Sequence, residues 1–116
     1  MPDLNILRQL ASDVGMDTAL RLLGIFKDDA EKRVAVIGDY LQNGGNVNDL
    51  RIQAHSLKGL CLTYGSPAGG EAARALQDAC DSGNDGDIRS KAETAFAIIP
   101  DEIIAIILAA QTLKGE

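Results

Sequence analysis

The chain is predicted to be all-α: an antiparallel four-helix bundle with an additional short N-terminal helix. Three observations predict this. Apolar residues make up 46% of the chain but aromatics only 3%, so Leu, Ile, Val and Ala must fill the core, a mix that favours helices over strands. Apolar residues recur at spacings of three and four over long stretches, the pattern of a helix with one buried stripe. No segment alternates with period two for long enough to suggest a sheet. A length of 116 residues suits one domain, residues 1–116, built on a single core.

The elements follow in order. A short helix is expected from about Asp3 to Ala11, with Leu4, Leu7, Leu10 and Ala11 on one face. Gly15 interrupts, and Asp17 is expected to cap a long helix reaching about Asn43. Its inward stripe is Ala19, Leu23, Phe26, Ala30, Val34, Ile37 and Leu41. The run Asn43 to Asn46 (NGGN) ends it, since Gly readily takes the left-handed conformation of a helix C-terminus. Asn46 or Asn48 caps a third helix from about Asp49 to Tyr64, striped by Leu50, Ala54, Leu57, Cys61 and Tyr64. Gly65, Ser66 and Pro67 mark a break. A shorter helix to about Asp81 follows, with Ala68, Ala72, Ala75, Leu76 and Ala79 as packing residues. The loop SGNDGD is the strongest turn signal. Asp87 is expected to cap a last helix from Ile88 to about Leu113, kinked or divided at Pro100.

Composition narrows the function. A net charge of −6 argues against nucleic-acid binding, which needs a basic face to replace phosphate counterions. The start MPDLNILRQL lacks the features of a signal peptide, and the apolar run Ile103 to Ala110 is too short to span a bilayer. No membrane role is expected, and the location is expected to be cytoplasmic. Cys61 and Cys80 do not make a secreted disulfide framework and read as small buried thiols. One histidine and no CxxC make a zinc site improbable, and no metal site is assigned.

That histidine, His55, lies in the string Ala54-His55-Ser56-Leu57-Lys58-Gly59. Ala54 and Leu57 belong to the inward stripe, so His55 is rotated about 100° from Ala54, toward the outside of the bundle. Lys58 at i+3 and Gly59 at i+4 share its surface, completed by Ile52 and Leu62. A glycine inside a helix costs about 0.5–1 kcal/mol relative to Ala. Space beside the imidazole, for a bulky group or an approaching protein, would compensate. Lys58 places a cation where a phosphate attached to His55 would sit. Ile52 and Leu62 leave apolar surface for docking, and Arg51 is assigned with them to partner binding. The bland alternative is a surface histidine beside a glycine that reflects close helix packing. The convergence of space, cation and apolar surface on one imidazole favours function.

The same residues resemble a known family. Ala54-His55-Ser56-Leu57-Lys58-Gly59, followed by Gly65, is similar to the AHxLKGxxxxxG signature of histidine-phosphotransfer (HPt) domains of bacterial two-component phosphorelays. Leu22-Leu23 with Phe26 resembles the family's LLxxF pattern, and Asn48-Asp49-Leu50 its polar lead-in. The sequence departs from the pattern after Gly65, where Pro67, Gly69 and Gly70 replace the usual start of a Leu-bearing helix. The resemblance implies an exposed phospho-accepting His55, Lys58 neutralising the phosphoryl group, Gly59 keeping access open, and Gln77 hydrogen-bonding the imidazole.

Neutral imidazole has a free ring nitrogen near neutral pH and can act as a nucleophile. Attack is expected through Nε2, with Nδ1 protonated. The chain has no GxxxxGK[ST] motif and no carboxylate cluster suited to Mg²⁺ beside His55. It is expected to be a phosphocarrier, not an ATP-using kinase, and to bind no cofactor of its own. The partners the resemblance implies are response-regulator receiver domains, which bring Mg²⁺, and a hybrid or sensor histidine kinase. Two rivals stand beside this reading. One is an interaction-only bundle that binds a receiver or kinase without phosphorylation. The other is the excised phospho-accepting domain of a chemotaxis-type kinase, against which the ending at Gly115-Glu116 is taken to favour a free-standing protein. A di-metal carboxylate bundle would need paired Glu-x-x-His motifs, which are absent.

Overall fold

The computed structural model describes residues 2–116; Met1, the first residue of the expected single domain, lies outside them. Five helices follow one another: α1 (Leu4–Val14), α2 (Met16–Asn43), α3 (Val47–Thr63), α4 (Pro67–Ser82) and α5 (Asp85–Lys114). No strand occurs among the described residues. The four longer helices close into a ring, α2 on α3, α3 on α4, α4 on α5 and α5 back on α2, with α1 lying mainly against α2. The predicted fold class is the observed one.

The stripes read from spacing become the core. Ala19, Leu23, Phe26, Ala30, Val34 and Ile37 of α2 are buried, as are Leu50, Ala54, Leu57 and Cys61 of α3. Phe26 meets Tyr64 with ring centroids 5.0 Å apart, which seats the end of α3 against the middle of α2. Both cysteines are buried free thiols. In α1 only Leu7 of the expected face is buried, while Leu4 stays exposed.

Two local expectations are corrected and a third is narrowed. Asp17 does not cap α2, which starts at Met16 after Gly15 and has no side-chain cap. Only Gly15 separates α1 from α2, so no residue is left to adopt the usual capping conformation. Asp87 does not cap α5 either. The Asn84 side chain accepts from the Asp87 N–H at 2.9 Å, so the helix begins a turn earlier and Asp87 lies in its first turn, where a negative charge suits the helix dipole. Pro100 does not divide α5, which is helical on both sides of it. Ile99 and Ile103 are both buried there, and that packing outweighs the hydrogen bond that proline removes.

This continuity changes the reading of Ile103 to Ala110. The run belongs to a 30-residue helix, long and apolar enough to cross a membrane, with a mean hydropathy of 1.8 over 18 residues. Its inward positions Ile99, Ile103, Ile106 and Ala110 are buried in the bundle core, while Ile104 and Leu108 are exposed.

The α3–α4 connection matters most for the site. Ser66 is fully buried; its hydroxyl accepts from the Gly69 N–H at 2.9 Å and donates to Glu102 Oε1 at 2.7 Å. It caps α4, and Pro67 takes the first helical position, where a missing N–H costs nothing. Gly69 and Gly70 then let α4 lie close on α3. A Cβ on Gly69 would come within 2.9 Å of Cys61 Sγ, and one on Gly70 within 2.5 Å of the Leu62 side chain. The expected packing face of α4 is rotated accordingly. Gly69, Gly70, Ala72, Ala73, Leu76, Ala79 and Cys80 are buried, whereas Ala68 is exposed and Ala75 only half-buried.

Candidate functional site

The close α3–α4 hairpin sets a register. Residues equidistant from Ser66 meet across the seam: Leu62 lies over Gly70, His55 meets Gln77, and Arg51 pairs with Asp81. The helices therefore run antiparallel, and each step of one turn brings a new pair to the surface.

His55 is exposed, one position round the helix from the fully buried Ala54. Its Nδ1 lies 3.3 Å from Gln77 Oε1. A carbonyl oxygen can only accept, so this contact is a hydrogen bond when Nδ1 carries the proton. In that tautomer Nε2 holds the free lone pair. The side chain of Gln77, half-buried on α4, thus faces Nδ1 and leaves Nε2 without this contact.

Gly59, one turn beyond His55, has open space where a side chain would be: no neighbouring atom lies within 4 Å of a Cβ built there. In this it differs from Gly69 and Gly70, which serve close helix contact, and from Gly38, against which the Phe96 ring rests. The packing explanation of the Gly59 cost therefore does not apply to it.

Lys58 is half-buried and makes no ion pair with a described residue. Ile52 and Leu62 are 46% and 49% exposed, so apolar surface flanks the imidazole on both sides along α3. The other charges near the seam are occupied. Arg51 pairs with Asp81, and Arg74 binds both Glu71 and Asp78. Hydrogen bonding to Arg74 holds the Glu71 carboxyl below its ordinary value.

His55, Lys58, Gly59, Gln77, Ile52, Leu62 and Arg51 therefore share one outer face of the α3–α4 pair. Sequence reasoning missed Asp81, the partner of Arg51. No local pattern signals it, because the mirror about Ser66 that pairs position 51 with position 81, as it pairs 55 with 77, is set by the close packing of α4 on α3.

An all-helical bundle that carries its one histidine exposed on an outer helix face is the class of protein that the fold and the site define. A family model described as the Hpt domain matches residues 21–112. The chain belongs to the histidine-phosphotransfer domain family, whose general role is histidine phosphotransfer in phosphorelays. Comparison with curated proteins and with solved structures gives no match.

Proposed function

We propose that the chain is a phosphocarrier that accepts a phosphoryl group on His55 Nε2 and exchanges it with the aspartate of a response-regulator receiver domain, in the cytoplasm. The observation that carries this is the exposed His55 ring, with Nδ1 against Gln77 Oε1 and open space at Gly59. In the accepting direction, the Nε2 lone pair attacks phosphorus as the bond from phosphorus to the aspartyl oxygen breaks, and the carboxylate leaves with that electron pair. The ring gains positive charge as the bond forms, so the hydrogen bond from Nδ1 to Gln77 strengthens during the step. Lys58 approaches the phosphoryl oxygens and offsets their charge.

Phosphoryl transfer depends mainly on positioning and charge stabilisation. The metal for it comes with the receiver. Ile52, Leu62 and Arg51 form the docking surface for the receiver and for a hybrid or sensor histidine kinase.

Incubation with a phosphorylated receiver tests the proposal. Wild-type chain is expected to acquire acid-labile, base-stable label, and His55→Gln chain none. Equal labelling of the two would sink the carrier reading. Tight receiver binding without any label would favour the interaction-only bundle.

A further inference from the structure

Three cations stand on the α3–α4 pair, and they differ in availability. Lys58 is free of ion pairs with described residues, Arg74 is shared by two carboxylates, and Arg51 is held by one, Asp81. Arg51 stands four residues before His55, its neighbour one turn away on the same helix face. Helical side chains lean toward the N-terminus of their helix, so the His55 ring leans over the turn that carries Arg51. The Arg51–Asp81 pair is also the next pair along the seam from His55–Gln77.

The side chains of Arg51 and Asp81 are 39% and 51% exposed, and an ion pair this open to solvent holds weakly. A phosphoryl group on His55 would be a stronger competitor than Asp81. It carries nearly two charges and three acceptor oxygens, and the guanidinium fork matches phosphate with two parallel hydrogen bonds.

We infer that Arg51 is a second phosphate-binding cation held in reserve by Asp81. When His55 is phosphorylated, Arg51 exchanges the Asp81 carboxylate for phosphoryl oxygens, and Asp81 thereby sets the lifetime of the phosphohistidine. The inference rests on His55 being the phospho-acceptor. Loss of the group is hydrolysis: a water oxygen bonds to phosphorus while the P–Nε2 bond breaks and the ring leaves with the electron pair. The loose transition state moves negative charge from the phosphoryl oxygens toward the ring. A guanidinium bound to those oxygens favours the charge where it started and slows the loss. Asp81, by competing for Arg51, shortens the lifetime.

Four full-length chains test this: wild type, Asp81→Asn, Arg51→Gln and the double variant. Each is phosphorylated with phosphoramidate, whose P–N bond breaks as Nε2 takes the phosphoryl group and ammonia leaves. Decay of the label is then followed by phosphorus NMR with no receiver present. Asp81→Asn is expected to lose phosphate about threefold or more slowly than wild type, the size of a surface ion-pair effect. Arg51→Gln is expected to lose it faster, and the double variant to decay like Arg51→Gln. The Arg51 Nε–H resonance of the wild type should also move on phosphorylation. The inference is overturned if Asp81→Asn decays like wild type, or if its slowing persists without Arg51, since Asp81 would then act through its field alone. A wild-type chain that takes no label on His55 overturns the underlying carrier reading, so the two failures are told apart.

Discussion

At position 59 helix stability and access to the imidazole pull in opposite directions. Nothing crowds a Cβ there, so Gly59→Ala removes only the backbone entropy cost of glycine and should stabilise the protein by about 0.5–1 kcal/mol. The same methyl group stands one turn from His55 and should slow phosphoryl transfer from a receiver. Denaturant midpoints and transfer rates measured on one preparation check both halves; a destabilised variant would place Gly59 among the packing glycines. Lys58 separates the two properties in another way. Because it makes no ion pair with a described residue, Lys58→Ala should leave the melting temperature nearly unchanged while shortening phosphohistidine lifetime or slowing transfer. A large loss of stability would mean that the lysine is structural.

At the scale of elements, the site depends on how closely α4 lies on α3. Gly69 is buried against Cys61 and Ser66, and Ser66 is the buried cap that starts α4. Neither neighbour can retreat without disturbing the cap or the core. Gly69→Ala should therefore destabilise the protein by about 1–3 kcal/mol, measured by chemical denaturation. It should also loosen the His55–Gln77 contact, because the pairing at positions 55 and 77 inherits its register from the turn around Ser66. The ring nitrogen chemical shifts of His55 report that loosening. Unchanged stability and unchanged shifts would show that the hairpin tolerates a wider separation. Gly38, where the Phe96 ring rests, makes a similar close approach between α2 and α5, remote from the imidazole.

At the scale of the whole molecule, the bundle is a rod with extents of 46 × 20 × 19 Å, and its stability should fall at alkaline pH through Cys61. Burial, and secondarily the charge of Glu102, push the Cys61 thiol up from 9.0 to about 11. Below pH 9 the thiol is protonated in both folded and unfolded chains, so its contribution is fully present. Between 9 and about 11 the unfolded chain releases the proton and the folded chain keeps it. Folding stability is lost across that window, by about 2–3 kcal/mol in all. Comparing denaturant midpoints at pH 8 and pH 11 for wild type and Cys61→Ala checks this. The variant should lose distinctly less, and an equal loss in both would assign the alkaline transition to other groups.

The sequence alone determined the helical class, the inward stripes of α2 and α3, and the face on which His55 stands. Those follow from a 3.6-residue period that needs no partner to be read. It also gathered Lys58, Gly59, Ile52 and Leu62 around the imidazole, since neighbours on one helix are a matter of spacing. It failed at the caps of α2 and α5, where Gly15 and Asn84 precede the helices in place of the acidic residues expected there, and at Pro100 it left kinking and division open, of which the structure excludes division. It also rotated the packing face of α4, because alanines and glycines carry too little hydrophobic contrast to mark an inside. Tertiary structure alone decided which residues of α4 meet α3. That depended on Gly69 and Gly70 admitting Cys61 and Leu62, a fit between surfaces distant in sequence. From it came the contact between Gln77 and the His55 ring, which the family pattern had implied, and the pairing of Arg51 with Asp81, which no local pattern contains.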